Sequence, residues 1–304
     1  MGTNIFLPNV IFLVTACVFQ PAFAAKPKFD VDRIKKITGI EGAYNDTEEV
    51  YKVSSPRQDV KVSVDNWTMP PFMGLTSWAA FNYDKKNKLM VMGDLVLFED
   101  EVNPVMSALL DSGLDVTALH NHFFYDNPKV FFMHISGEGN EEKLATGVHN
   151  AFEKVKEIRK QNASPVHTFG AFALPEKSSI SAKPLEELFN AKGQAKDGMY
   201  KLVFGREVEM PCGCKMKKEM GVNTWAAFAG SDDNALVDGD FAVHEDELQK
   251  ILKSLRKSDI NIVAIHHHMS EEKPRMLFLH YWGRGKVITI ASGVKNALTL
   301  IGAK

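Results

Sequence analysis

The sequence predicts an α+β protein built from two tandem homologous units, each an antiparallel sheet with helices packed on one face. Two observations predict this. The chain repeats itself: the stretch from Trp78 to Phe152 returns about 146 residues later, from Trp225 to Leu298. Trp78-Ala79-Ala80-Phe81 matches Trp225-Ala226-Ala227-Phe228, and Gly93-Asp94 matches Gly239-Asp240. His120, His122, Pro128, Phe132 and His134 match His266, His268, Pro274, Phe278 and His280. Within each copy, runs of alternating apolar residues give way to runs with helical apolar spacing.

Residues 1–24 read as a signal peptide. Ile5 to Phe19 is mostly apolar, and Ala22-Phe23-Ala24 has the small-x-small form of a cleavage site. Pro8 and Pro21 bracket a run too short for a transmembrane anchor, so no span is expected after processing. The alternative is a lipoprotein, since Val14-Thr15-Ala16-Cys17 resembles a lipobox acylated at Cys17. Either reading exports the chain to the periplasm or beyond it.

Unit one is expected over residues 26–160, a connector over 161–183 and unit two over 184–304. A short helix around Ile34 precedes Gly39, and Leu185 to Phe189 is its counterpart. Val60 to Val64 alternates as a strand. Trp78 to Tyr83 and Leu89 to Phe98 are two more, joined by the polar turn Asp84-Lys85-Lys86-Asn87. Glu99 to Ser112 is a helix, with Val102, Val105, Met106, Leu109 and Leu110 at helical spacing and Gly113 beyond its end. Pro104 falls near its first turn, where proline is tolerated. Val116 to Phe124 is a strand, Tyr125 to Pro128 a turn, and Lys129 to Ser136 the returning strand. Asn140 to Ile158 closes the unit as a helix. Unit two repeats the order from Ala235 to Ala303. In the connector, Phe169, Phe172 and Leu174 are expected to pack on a surface.

The 304 residues suffice for two domains with adequate cores. A formal charge of −2 leaves no basic field for nucleic acid.

The chemistry concentrates in a histidine hairpin. His120 and His122 lie two apart on one strand and share a face. With the turn centred near Asn127, His134 falls opposite His120, and His122 lies diagonal to it. Opposed Cβ atoms sit ~5 Å apart and diagonal ones ~7–8 Å. Three imidazoles then reach one divalent transition metal, with zinc expected. His266, His268 and His280 form the second set. Alternation sends His267 to the other face, so it is not counted as a ligand. Against this stands a simpler reading, in which the rings are hydrogen-bonded packing residues inherited through duplication.

Glu99-Asp100-Glu101 and Glu245-Asp246-Glu247 suit helix N-termini, where acidic side chains offset the dipole. The functional alternative makes Glu99 and Glu245 catalytic, as a fourth ligand or a base acting on metal-bound water. Asp94 and Asp240 follow glycine inside a strand and are expected to orient the histidines from behind. Trp78, Phe81, Trp225 and Phe228 read as core in preference to a ligand groove, and Met69 to Gly74 as an apolar loop that is either a lid over the site or a statically packed segment. Cys212 and Cys214, in a C-x-C pair, suit a small disulfide or two thiolate ligands.

Ala118-Leu119-His120-Asn121-His122, followed by Pro128 and Phe131-Phe132-Met133-His134, resembles the signature of the LppY/LpqO-type bacterial envelope and secreted proteins. Met92-Gly93-Asp94-Leu95, Glu101-Val102-Asn103-Pro104-Val105-Met106 and Pro71-Phe72-Met73-Gly74-Leu75-Thr76-Ser77-Trp78 fit the same pattern. The resemblance implies export and a tandem domain, and supplies no substrate. The letters His-Asn-His are not the nuclease motif, whose histidines are not two apart on one strand. Two functions follow as expectations: a metal-dependent hydrolase of envelope or extracellular material, or a non-catalytic secreted module for a metal, glycan or other small molecule. No nucleophile elbow, zinc-protease helix or phosphate loop is present.

Overall fold

The structure is a computed structural model that describes residues 30–301 apart from Asn87, Phe169, Ala171 and Phe172. The signal segment, Cys17, Phe169 and Phe172 therefore lie outside the described residues. In unit one the main strands are β1 (Gly42–Asn45), β2 (Val50–Pro56), β3 (Thr76–Tyr83), β4 (Leu89–Phe98), β5 (Asp115–His120) and β6 (Val130–Gly139). Unit two has β7 (Gln194–Lys196), β8 (Met199–Gly205), β9 (Asn223–Gly230), β10 (Ala235–His244), β11 (Asn261–His266) and β12 (Met276–Gly285). The helices are α1 (Val31–Thr38), α2 (Glu99–Asp111) and α3 (Glu141–Gln161), then α4 (Ala182–Phe189), α5 (Leu248–Lys257) and α6 (Val287–Leu298).

The two units do not stand apart. Their strands form one 12-stranded sheet in the order β1-β2-β3-β4-β6-β5-β11-β12-β10-β9-β8-β7. Every pairing in it is antiparallel. The helices share a core with one sheet face. Phe81, Leu95, Leu97, Met133 and Leu119 of unit one belong to it, as do Phe228, Phe241, Leu279 and Ile265 of unit two. Alternation sends Asp94, His120 and His134 to the other face.

The join rests on Leu119 paired with Ile265. These are equivalent residues of the two copies, so an approximate twofold axis passes between them, normal to the sheet. The strands overlap there only at their C-terminal ends. Earlier in each strand the outward backbone groups have no neighbouring strand, and burial without a partner is costly. A side chain from the other unit substitutes for one. The Asn103 amide, on α2, accepts from Ile262 N–H at 2.7 Å and donates to Ile262 C=O at 3.1 Å. The Gln249 amide, on α5, accepts from Val116 N–H at 3.1 Å and donates to Val116 C=O at 2.8 Å. Asn103 and Gln249 are equivalent, as are Val116 and Ile262. Both clamps sit at the register shift in their strand, between Val116 and Ala118 and between Ile262 and Ala264.

Two loop walls cover parts of the outer face. In unit one, Val62, Met69 and Leu75 pack over Val96, Phe98, Val130 and Phe132. In unit two, Val208 and Val222 pack over Ala242, Met276 and Phe278. An arginine fastens each wall. Arg57 donates to Val96 C=O at 2.8 Å and to both oxygens of Glu101, at 2.7 and 2.9 Å. Glu101, fully buried, also accepts from Phe98 N–H at 2.8 Å. Arg206 repeats this with Ala242 C=O and Glu247.

Several expected boundaries move. The strand expected over Val60 to Val64 is only Ser63–Val64, because Arg57 pulls this segment off the sheet into the wall. The strand expected to reach Phe124 stops at His120, where the chain leaves for the second wall. Trp78 and Trp225 are not core. They share the outer face with Lys52 and Lys201, whose Nζ atoms lie 4.3 and 4.1 Å from the ring centroids. Phe81 and Phe228, three residues on, face the core as expected. The Pro71–Met73 segment forms a short 3-10 turn with Phe72 exposed. Among the described residues, no helix is long and apolar enough to cross a membrane.

The amide clamp predicts a matched pair of losses. Asn103→Ala strands two backbone groups of Ile262, and Gln249→Ala two of Val116. Each variant is expected to lose ~1–3 kcal/mol per stranded group. Urea unfolding measures this, and a loss in only one of the two would contradict the pseudo-symmetric seam.

Candidate functional site

Each unit presents a histidine cluster on the open sheet face. His120 and His122 bring their Nε2 atoms to 3.1 Å, and His266 and His268 do the same. The His134 ring stacks on His120 at 5.1 Å between centroids, and the His280 ring on His266 at 4.9 Å. His122 lies flat on Phe132 and His268 on Phe278, both at 3.5 Å. These benzyl rings are floors that hold the second histidine of each set, although each lies beyond the end of its strand.

The cluster forms by a different register from the one expected. His134 pairs with Ala118, and His120 pairs with Phe132. The hairpin is offset by two residues because the chain after His120 loops outward and does not turn tightly at Asn127. A shift of two keeps side chains on the same face, so the three rings still meet. A shift of one would have separated them. His267 leaves the cluster and bonds through Nδ1 to Met276 C=O at 2.8 Å.

Asp94 lies directly across from His134, and Asp240 across from His280. His268 Nε2 and His280 Nδ1 lie 3.8 and 4.0 Å from Asp240 carboxylate oxygens. One oxygen on each acid, Asp94 Oδ1 and Asp240 Oδ1, is buried without a hydrogen-bond partner. Burial lifts both carboxyls above their ordinary range, Asp240 to about 6, while the facing histidines pull Asp94 back. Burial also lowers His120, His268 and His266, the last to about 4, with neighbouring rings adding to the effect.

Glu99 and Glu245 are engaged elsewhere. Glu99 lies 3.7 Å from His167, and Glu245 lies 3.7 Å from Arg275. Glu99 lines a cavity of about 510 Å³ at the seam with Asn103, Phe131, Arg256 and Trp282, which contains none of the six histidines. The acid that holds the wall arginine in each triplet is the third, Glu101 or Glu247. The Lys–Trp pairs and the phenylalanine floors were missed in the sequence. The repeat match of Phe132 with Phe278 was the available signal for the floors. Even spacing of Trp78 from Lys52, across paired strands, would have required the register. Cys212 and Cys214 are joined as a disulfide between Val208–Glu209 and Lys215–Met216, far in sequence from either histidine set.

A family model described as Domain of Unknown Function (DUF1259) matches residues 32–154 and again residues 183–300. The chain belongs to this family. It carries the family's domain twice, and the two matches coincide with the two halves of the sheet. A comparison with curated proteins returns no match. Among solved structures, the chain is similar to a trimeric bacterial microcompartment shell protein, PduB, at 10% identity over 85% of this chain and 91% of that one. The TM-score is 0.23, too low to bear on fold or function.

The titrating pair in unit two sets a pH dependence of stability. His266 is depressed from ~6.5, so its stabilisation is present above that value and lost as pH falls toward about 4. Asp240 is raised, so its contribution is present below ~3.9 and lost as pH rises through about 6. The two oppose each other over the same window. Asp240→Asn removes one of them. The variant is expected to exceed wild type in stability near neutral pH and to lose stability more steeply on acidification. Urea midpoints across that range test this, and parallel curves would refute it.

Proposed function

We propose that this is an exported protein of the LppY/LpqO type whose two histidine clusters each bind a divalent transition metal, zinc foremost, as a secreted metal-binding module. The observation that carries the reading is the pair of facing Nε2 atoms beside a buried, unpartnered carboxylate oxygen, present in both units. Two nitrogens, each ~2.1 Å from a tetrahedral ion, sit about 3.4 Å from each other. The facing pairs, at 3.1 Å, are close to that spacing. A buried carboxylate oxygen that lacks a donor favours a cation, and burial, which raises the Asp240 carboxyl to about 6, is the cost that a cation would offset.

Among the described residues, no group of three or more His, Cys, Asp or Glu side chains is already gathered as a metal-holding set. The reason lies in the third ring. His134 lies parallel to His120, within 5°, stacked beside it at 5.1 Å between centroids. A three-histidine set then calls for the stacked third ring, His134 or His280, to turn about its side-chain bonds and bring a nitrogen toward the Nε2 pair. The competing account, a neutral hydrogen bond between the two Nε2 atoms, requires no turn.

A second reading, a metal-dependent hydrolase of envelope or extracellular material, draws on Asp240. A carboxyl that titrates at about 6, beside the histidines, suits proton transfer better than Glu99 or Glu245, which face elsewhere. Both readings take a small molecule or envelope polymer as partner, with no role for nucleic acid.

Elemental analysis and calorimetric titration of the mature protein test the metal. Two zinc ions per chain are expected. His120→Ala with His122→Ala should remove one, and Glu99→Gln should remove neither. Affinity should fall as pH drops below ~6.5 toward about 4, the window in which the depressed imidazoles protonate. Wild-type binding no stronger than that of a variant lacking both sets would establish the histidines as packing residues. N-terminal sequencing is expected to begin at Ala25, and a mature chain that begins at acylated Cys17 would establish the lipoprotein reading in its place.

A further inference from the structure

We infer that the two histidine clusters are halves of one site, which takes a single ligand carrying two anionic groups, phosphate or carboxylate, one for each half. The inference rests on the metal reading above and goes beyond it. Its ground is the seam. Leu119 pairs with Ile265, and that antiparallel register, carried one residue either way, sets Ala118 beside His266 and His120 beside Ala264. His134 already lies across Ala118 on the other side, and His280 across Ala264. Each alanine is therefore flanked by one histidine from each unit. Along the sheet face the order is His134, His120, His266, His280, each diagonal to the next. The two alanines leave the floor between them low.

The flanks agree. Beyond His134 lie Asp94, Trp78 and Lys52 on successive strands; beyond His280 lie Asp240, Trp225 and Lys201. The band thus reads the same from either end, with a cation at each. The walls stand on opposite sides of it, one over Val96 and Phe132 and the other over Ala242 and Phe278. They leave a diagonal path open across the twofold axis. Strands spaced ~4.8 Å apart and a rise of ~3.4 Å per residue put the two cluster centres about 12 Å apart. That is too far for two ions to share one bridging atom, which requires about 3.5–4 Å. It suits one extended ligand with an anionic group over each ion. Two ions and two lysines make the band electropositive once both carboxylates are neutralised, which is why the ligand is anionic.

The experiment uses the full mature chain loaded with Cu²⁺, which imidazole also binds, and 1,6-hexanediphosphonate as probe, with hexylphosphonate as the single-headed control. Dipolar broadening of the copper spectrum is expected, lost in chains that lack either set (His120→Ala with His122→Ala, or His266→Ala with His268→Ala). The diphosphonate should bind one per chain and at least about tenfold more tightly than the control, by effective concentration. That advantage should vanish in either half-site variant, with hexylphosphonate affinity there unchanged. Two bound ions without broadening, or diphosphonate binding equal to the control, would overturn the composite site and leave two separate metal sites. Failure to bind copper or zinc at all would overturn the metal reading itself.

Discussion

The seam between β5 and β11 is the constraint from which the rest of the molecule follows. A strand that overlaps its neighbour only at one end leaves polar backbone exposed along the remainder, and a buried, unpaired N–H or C=O costs ~1–3 kcal/mol. Asn103 and Gln249 answer this with side-chain amides that present one donor and one acceptor, as a neighbouring strand would. Neither residue serves its own unit. Each completes the sheet of the other, so one continuous sheet forms in place of two stacked ones.

That geometry has a consequence for the site. A twofold axis normal to a sheet keeps equivalent residues on the same face. Both histidine clusters therefore look out from one surface, and their first members, His120 and His266, flank the axis on either side of the Leu119–Ile265 pair. An axis in the plane of the sheet would have placed the clusters on opposite faces. The buried ion pairs of Arg57 with Glu101 and of Arg206 with Glu247 then hold a wall over each outer flank. With its hydrogen bonds satisfied on both sides, such a pair costs most when one member is removed, since the other is left charged and buried. The walls close the ends of the face and leave its centre to solvent.

The site combines groups that each lack something. Each carboxylate has a buried oxygen without a partner, and burial with neighbouring rings pushes His120, His266 and His268 toward the neutral form. Zinc or a similar ion would satisfy both at once, and a proton would satisfy either alone. The same desolvation thus raises Asp240 and lowers His266. Glu99 and Glu245 lack this setting, because they lie on the exposed first turn of α2 and at the head of α5.

How much of this was legible in the chain divides along a physical line. The repeat, the α+β class and the shared face of His120, His122 and His134 follow from local periodicity and from duplication, which the order of residues records directly. Register survived an error of two residues only because side chains alternate with period two. The role of Glu101 was half visible, as an acid at a helix start. Its partner Arg57 was not, since the pairing spans a loop that no periodicity describes. The Asn103 and Gln249 clamps and the placing of His120 and His266 on either side of one seam were decided by tertiary structure alone. They join residues far apart in the chain through a strand edge that exists only once the two units have docked. A sequence by itself determines which faces its elements carry; which edges meet depends on backbone groups that every residue has alike.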